Sequence, residues 1–211
     1  MLLLLAPASG YAETTPTPAG WELENRDERA GWSLYTRRVA DSDYPRYRLV
    51  GRSNEPIERV IAALQRKAQD DRYLPKGHVR RVIEHGDDFY VAHLRIDAPI
   101  IADRDTVLRL GWRTEPDTGI HHVEWRQPDG ELPPVAGDAV RIVSEGAWKI
   151  TPLAQGGAEI VYESHSELGD SVPRWLINRL MDDQIVNELL TLQRILDEDL
   201  PDVAAPPRPL D

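Results

Sequence analysis

The chain has 211 residues, enough for one domain with a sizeable core, and its 25 basic against 36 acidic side chains leave a net charge of −11. That balance argues against nucleic acid and anionic membrane surfaces as default partners. Cysteine is absent, which excludes disulfides and an acylated N-terminal cysteine, and no run approaches the ~20 apolar residues of a spanning helix.

Leu2 to Leu5 form a short apolar block, and Gly10-Tyr11-Ala12 places small residues ahead of Glu13. Residues 1–12 therefore read as the end of a secretory signal, cleaved after Ala12 or after Ala8. The expected product is periplasmic or secreted, with a cytoplasmic leader as the alternative. Residues 13–20, ETTPTPAG, form a Pro/Thr linker, and residues 201–211, PDVAAPPRPLD, a Pro-rich tail without a packed structure. Between them, residues 21–200 contain no repeat and no second linker, so they form one domain.

Alternation of Trp32, Leu34 and Thr36 against Ser33, Tyr35 and Arg37 predicts a strand over 31–39, and 44–53 supplies its partner. The period then changes. Ile57, Val60, Ile61 and Leu64 share one helix face, with Asn54 as the N-cap and Pro56 in the first turn. Strands follow over 78–86, 88–97, 104–115, 119–128, 139–152 and 158–168, separated by turn residues and by the long loop at 129–138. Pro173 opens a last helix that runs on to residue 200 without an internal Gly or Pro. It spans about 40 Å at 1.5 Å per residue. Its apolar positions cover more than one stripe, so it should lie across a sheet. The inventory points to an α+β fold, a curved antiparallel sheet wrapped around a long C-terminal helix.

The segments GWSLYTRRV, DAPIIADRDTVLR, VRIVSEGAWKITPL and SVPRWLINRLMDD occur in that order. In them Arg104-Asp105 follows an Ala-Pro corner, Gly146-x-Trp148 precedes Pro152, and Pro173-x-Trp175-Leu176 precedes Asn178. This set resembles the bacterial branch of the START family, the steroidogenic acute regulatory-related lipid transfer domains. The resemblance covers roughly residues 21–198. It implies a helix-grip fold whose sheet and last helix enclose a hydrophobic cavity for one lipid, bound or carried without chemistry, and it calls for no cofactor. Related branches include polyketide cyclases. Ile100-Ile101 stands where bacterial relatives have Trp-Pro, and Glu167-Leu168-Gly169-Asp170 where they have Asp-Pro-Gly-Gly, so ligand identity does not carry over.

Asp103, Arg104 and Asp105 read as scaffold at a partly solvated turn, with Arg104 donating to a carboxylate or to carbonyls across the corner. No nucleophile elbow, zinc-binding helix motif or phosphate loop is present. His121 and His122 are consecutive and point to opposite faces of a strand, which argues against a metal shared between them. A site assembled from His93, one of that pair and His165 lacks carboxylate support, so no metal is expected.

The candidate ligand-binding residues are His93, Leu110, Trp112, Trp125, Tyr162, Ile177, Met181 and Gln184. Leu110 and Trp112 share a strand face, with Trp125 on the neighbouring strand. Ile177, Met181, Gln184 and Glu188 form a helix stripe that is apolar at one end and polar at the other. His93 has two readings. The resemblance implies that it points into the tunnel and orients a ligand hydroxyl or carbonyl. The apolar set Tyr90, Ala92, Leu94 and Ile96 places it on the opposite, outer face. The expected partner is one small hydrophobic ligand or lipid, a sterol, fatty acyl or phospholipid-like molecule, loaded through transient membrane or envelope-protein contact. The rival is a cyclase or hydrolase using His93 and Arg95 as proton-handling groups. A third reading has the interior filled by side chains.

Overall fold

The computed structural model describes residues 18–98, 101–135, 137–169, 172 and 174–198, without the side chains of 174–180, 182 and 183. The elements in chain order are β1 (Glu22–Asp27), β2 (Trp32–Arg37), β3 (Arg46–Ser53), α1 (Ile57–Gln69), a 3-10 turn (Asp71–Tyr73), β4 (His78–His85), β5 (Phe89–Ile96), β6 (Arg104–Thr114), β7 (His121–Arg126), β8 (Val140–Arg141), β9 (Val143–Pro152), β10 (Ala158–Glu167) and α2 (Arg174–Leu196). The strands form one sheet in the order β1-β2-β3-β10-β9-β7-β6-β5-β4, every pair on this path antiparallel, while β8 pairs in parallel with the start of β6. This is the α+β helix-grip fold expected from the order of elements.

Apolar side chains at alternate strand positions face the helices. Trp32 and Leu34 of β2, Leu49 of β3, Ile150 of β9 and Ile160 of β10 meet Val60 and Leu64 of α1 and Ile185, Leu189, Leu192 and Ile195 of α2 in one buried core. The C-terminal half of α2 is thus wedged between α1 and the sheet. Gly51 permits the close approach: a β-carbon there would lie 3.1 Å from Leu189 Cδ2.

Four sequence expectations need correction. β1, ELENRD, lies in a segment where no strand is expected, because five of its six residues are exposed and it has no alternation to read. It is held as an edge strand by its backbone pairing with β2. Asn54 is not the N-cap of α1. Pro56 occupies that position without a side-chain cap, and its carbonyl accepts from Arg59 N at 3.0 Å and Val60 N at 3.2 Å. The strand read as 139–152 is two strands: Val140 N and Ile142 N donate to Asp103 O and Asp105 O, both at 2.8 Å, before the chain turns to pair with β7 and β10. The last helix ends at Leu196 rather than 200, about 35 Å for 23 residues. Pro173 lies outside the described residues.

The charged corner is also more buried than a solvated turn. Arg104 is 5% and Asp105 0% exposed. Arg104 Nε donates to Leu168 O at 3.0 Å and its Nη1 to Ala102 O, so it is scaffold that ties the corner to the end of β10. Asp105 faces the other way and accepts from Arg141 and His93. A buried carboxylate is tolerated here because it has charged and hydrogen-bonding partners.

Candidate functional site

Between the inner face of the sheet and the middle of α2 lies a cavity of about 390 Å³. The alternation of β6 aims Thr106, Leu108 and Leu110 into it, and β5 adds Leu94 and Ile96. Trp125 of β7, Trp148 of β9 and Tyr162 of β10 form an aromatic wall, with Tyr162 stacked on Trp125 at 5.5 Å and tilted against Trp148 at 4.6 Å. Met181, Gln184, Ile185 and Glu188 close the cavity from α2. The interior is therefore not packed solid, against the third reading of the sequence.

Polar groups gather at its two ends. At one end Lys67 Nζ meets Glu188 Oε2 at 2.6 Å, both side chains about 15% exposed. Arg80 reaches Asp71 at 2.6 Å, and the Tyr90 hydroxyl donates to Ala68 O at 3.1 Å. Burial pushes the Tyr162 phenol up, with the nearby Glu188 reinforcing it and Ser164 opposing it. Burial likewise raises the Tyr90 phenol and lowers His78. At the other end Thr106, Ser144, Ser164 and Ser166 line the wall. A second hollow on the outside shares Tyr73, Leu74, Pro75, His78, Gln184 and Glu188 with the cavity. The cavity and this outer hollow thus adjoin each other between the 73–78 segment and α2.

Of the residues singled out from the sequence, Leu110, Trp125, Tyr162, Met181 and Gln184 line this space. Trp112 shares the inward face but packs against the core and lies 6.3 Å from Tyr90, outside the lining. The side chain of Ile177 lies outside those described. His93 does not enter the cavity. Its neighbour Leu94 does, so period two turns the imidazole outward, where Nε2 contacts the Asp105 carboxylate. The apolar pattern of β5 is the correct guide, and the tunnel orientation implied by the resemblance is overturned. Arg95 is also outside the cavity, 2.7 Å from Asp103. The two proton-handling groups of the enzyme reading are therefore both absent from the lining.

The loop at 129–138 lies away from this cavity. None of its described residues lines it, and Pro133 O accepts from Arg141 Nη2 at 2.8 Å on the side of Asp105. The histidines stay apart as their alternation requires. His121 is buried and bonded to Thr114 Oγ1 at 2.8 Å, while His122 points away to Glu115 at 2.8 Å. Among the described residues no group of three or more His, Asp or Glu is placed to hold a metal, and no helix is long and apolar enough to cross a membrane. Sequence reading missed Lys67, Arg80, Thr106 and Ser164. For the last two a signal existed, since Thr106 shares parity with Leu110 and Ser164 with Tyr162.

A grip of strands around a terminal helix with a hollow between them defines the class, a helix-grip domain with an internal ligand cavity. No family model matches the chain. An uncharacterized protein of Pseudomonas aeruginosa is 26% identical over 201 residues, 92% of this chain and 94% of that one. Among solved structures, a STAR-related lipid transfer protein from Xanthomonas axonopodis is 26% identical with a TM-score of 0.70, over 85% of this chain and 99% of that chain. Human StAR-related lipid transfer protein 5 has the same fold at 18% identity and a TM-score of 0.70, over 86% and 88%. A Streptomyces aromatase/cyclase is more distant, 12% identical with a TM-score of 0.51 over 76% and 98%. The more similar of these structures are START-related lipid transfer domains, and the family resemblance read from the sequence holds.

Proposed function

We propose that this protein binds one apolar or amphipathic lipid in the cavity between the sheet and α2 and carries it shielded from water. The observation that supports this reading is the internal hollow itself, walled by Leu108, Leu110, Trp125, Tyr162 and Met181. Domains of this size rarely leave such a space empty of purpose, because unfilled volume forfeits packing energy. A guest that buries ~300 Å² of apolar surface gains roughly 7 kcal/mol before ordering costs. A volume near the lower end of the ~300–1,000 Å³ common for ligand sites suits one acyl chain or a compact ring system better than a two-chain phospholipid. Loading takes place in the periplasm or outside the cell, through transient contact with a membrane or an envelope protein.

The catalytic reading rests on the Streptomyces aromatase/cyclase neighbour. An acid–base pair at the cavity is what it needs. The Tyr162 phenol, held protonated by burial, is a poor base, and Lys67 and Glu188 already neutralise each other. Carriage is therefore the favoured function.

Native mass spectrometry of gently purified protein tests this directly. The expected result is a complex heavier than the chain by one lipid, recovered on extraction, from a product whose N-terminal sequence begins near Glu13 or Ser9. Bare protein that turns over an added ester or polyketide replaces the proposal with the enzyme. An intact Met1 in the cytoplasm removes the export.

A further inference from the structure

The cavity wall carries hydroxyl groups that the fold itself does not use. Thr106 is 2% and Ser164 5% exposed, and both line the cavity. Neither Thr106 Oγ1 nor Ser164 Oγ has a hydrogen-bond partner. Ser164 Oγ lies near enough to the Tyr162 hydroxyl to favour its phenolate slightly, yet makes no bond of proper geometry. Buried hydroxyls without partners are destabilising and therefore few in native proteins, so two in one apolar chamber point to a partner that arrives from outside.

Strand register fixes where they lie. Ser164 opposes Gly146 and Ser166 opposes Ser144 on β9. Gly146 in turn opposes Trp125, which opposes Leu110 on β6. Thr106 is two inward positions along β6 from Leu110, with Leu108 between. The four hydroxyls thus occupy three successive rungs of the inner face. They run towards the end of the cavity that Ile101, Leu168, Val172 and Met181 close. Ser166 Oγ donates to Ser144 Oγ at 3.0 Å, and the Arg104 guanidinium at the same end is engaged by Leu168 O and Ala102 O. Of the four hydroxyls, Thr106 and Ser164 are the two without a partner. At the opposite end Lys67 and Glu188 satisfy each other.

We infer that Thr106 and Ser164, on different rungs of the inner face, each offer a hydrogen bond to an oxygen of the guest, a hydroxyl or a carbonyl, and so select oxygenated amphiphiles over plain hydrocarbons. The oxygenated part of the guest lies along these rungs towards the Arg104 corner, and its hydrocarbon points towards the Lys67–Glu188 end. This deepens the carrier reading and rests on it.

The test is displacement of anilinonaphthalene sulfonate from the full chain by 1-octanol and by octane, for the wild type and for the double variant Thr106→Val/Ser164→Ala. The expected result is about tenfold weaker octanol binding in the double variant, one hydrogen bond's worth, with octane unchanged within about twofold. Thr106→Ser, which keeps the hydroxyl, retains octanol affinity. Because neither hydroxyl has a hydrogen-bond partner within the fold, the double variant melts no lower than the wild type without ligand. Equal change, or no change, for both probes overturns the selectivity and leaves lipid binding standing. A lower melting point with octanol affinity intact also overturns it, since that marks a structural role. If neither probe competes on the wild type, the carrier reading falls with it.

Discussion

One sheet presents two unlike halves to one helix. Over β2, β3 and the adjoining parts of β9 and β10, the inner face is packed without a gap: Leu34, Leu49, Ile150 and Ile160 are at most 2% exposed against Leu189, Leu192 and Ile195. Over β5 and β6 and the far ends of β9 and β10, the same face stands off from Met181 and Gln184 across about 390 Å³. The difference comes from what sits at the contact. Gly51 lets α2 settle onto β3, and α1 clamps the helix from the other side. In the hollow half, the rings of Trp125, Trp148 and Tyr162 form part of the cavity wall. A helix anchored firmly by its C-terminal half can span a hollow lined by Met181 and Gln184, and that is the physical basis of a stable domain with an internal cavity.

Truncation should accordingly cost very different amounts on the two sides. Leu192→Ala, in a fully buried position of the packed half, is expected to destabilise by ~2–5 kcal/mol, because it removes apolar burial and opens a new void. Leu110→Ala, at the cavity wall, is expected to cost about 1 kcal/mol, since its removal enlarges a space that already exists. Denaturant titration of both variants checks this. Equal losses would show that the interior is filled in solution.

Each side carries a histidine whose pKa burial lowers, His78 at the cavity and His121 on the packed side. His121 is 2% exposed, its Nε2 has no partner, and burial lowers its pKa from 6.5 to about 4, with the neighbouring His122 acting in the same direction. The unfolded chain therefore takes up this proton first as the pH falls. Stability contributed by the neutral ring is full above pH 6.5 and is lost between pH 6.5 and about 4. Lowering a pKa by one is worth roughly 1.4 kcal/mol at most, less where the ring finds water. Below that window Asp70, Asp103, Glu115 and Asp129, held low chiefly by hydrogen bonds to neighbouring side chains, lose their own contributions as they protonate. The expected outcome is a melting temperature that falls from pH 6.5 to 4.5, and His121→Gln should flatten that slope. An unchanged slope in the variant assigns the effect to another group.

The same contrast explains what could be read from the sequence. Periodicity revealed the order of elements because the packed half obeys it: Trp32, Leu34, Ile150 and Ile160 alternate as buried strand residues must. It also marked Leu110, Trp125, Tyr162, Met181 and Gln184 as facing the helix side. It could not say that the wall and the helix stand apart there, because a residue facing a void and one facing a neighbour have the same parity. Edge strand β1 carried no alternation, and its pairing is a backbone matter. The Lys67–Glu188 pair joins residues 121 apart in sequence, on two helices whose packing no local pattern encodes. Thr106 and Ser164 were legible in principle, as small polar residues in otherwise apolar inward series.

His93 supplies the finest test of the two-sided sheet. Family resemblance turned it inward, the strand pattern turned it outward, and the pattern prevailed because Leu94 and His93 cannot share a face. Its partner Asp105 is fully buried but also holds Arg141, so losing the imidazole does not strand the carboxylate without a cation. His93→Ala is accordingly expected to cost only about 1 kcal/mol, the net value of one hydrogen bond. It should leave the mass and yield of the extracted lipid the same as in the wild type. Loss of the bound lipid in a variant that melts normally would put the ring back in the tunnel and dissolve the distinction between the two faces of β5.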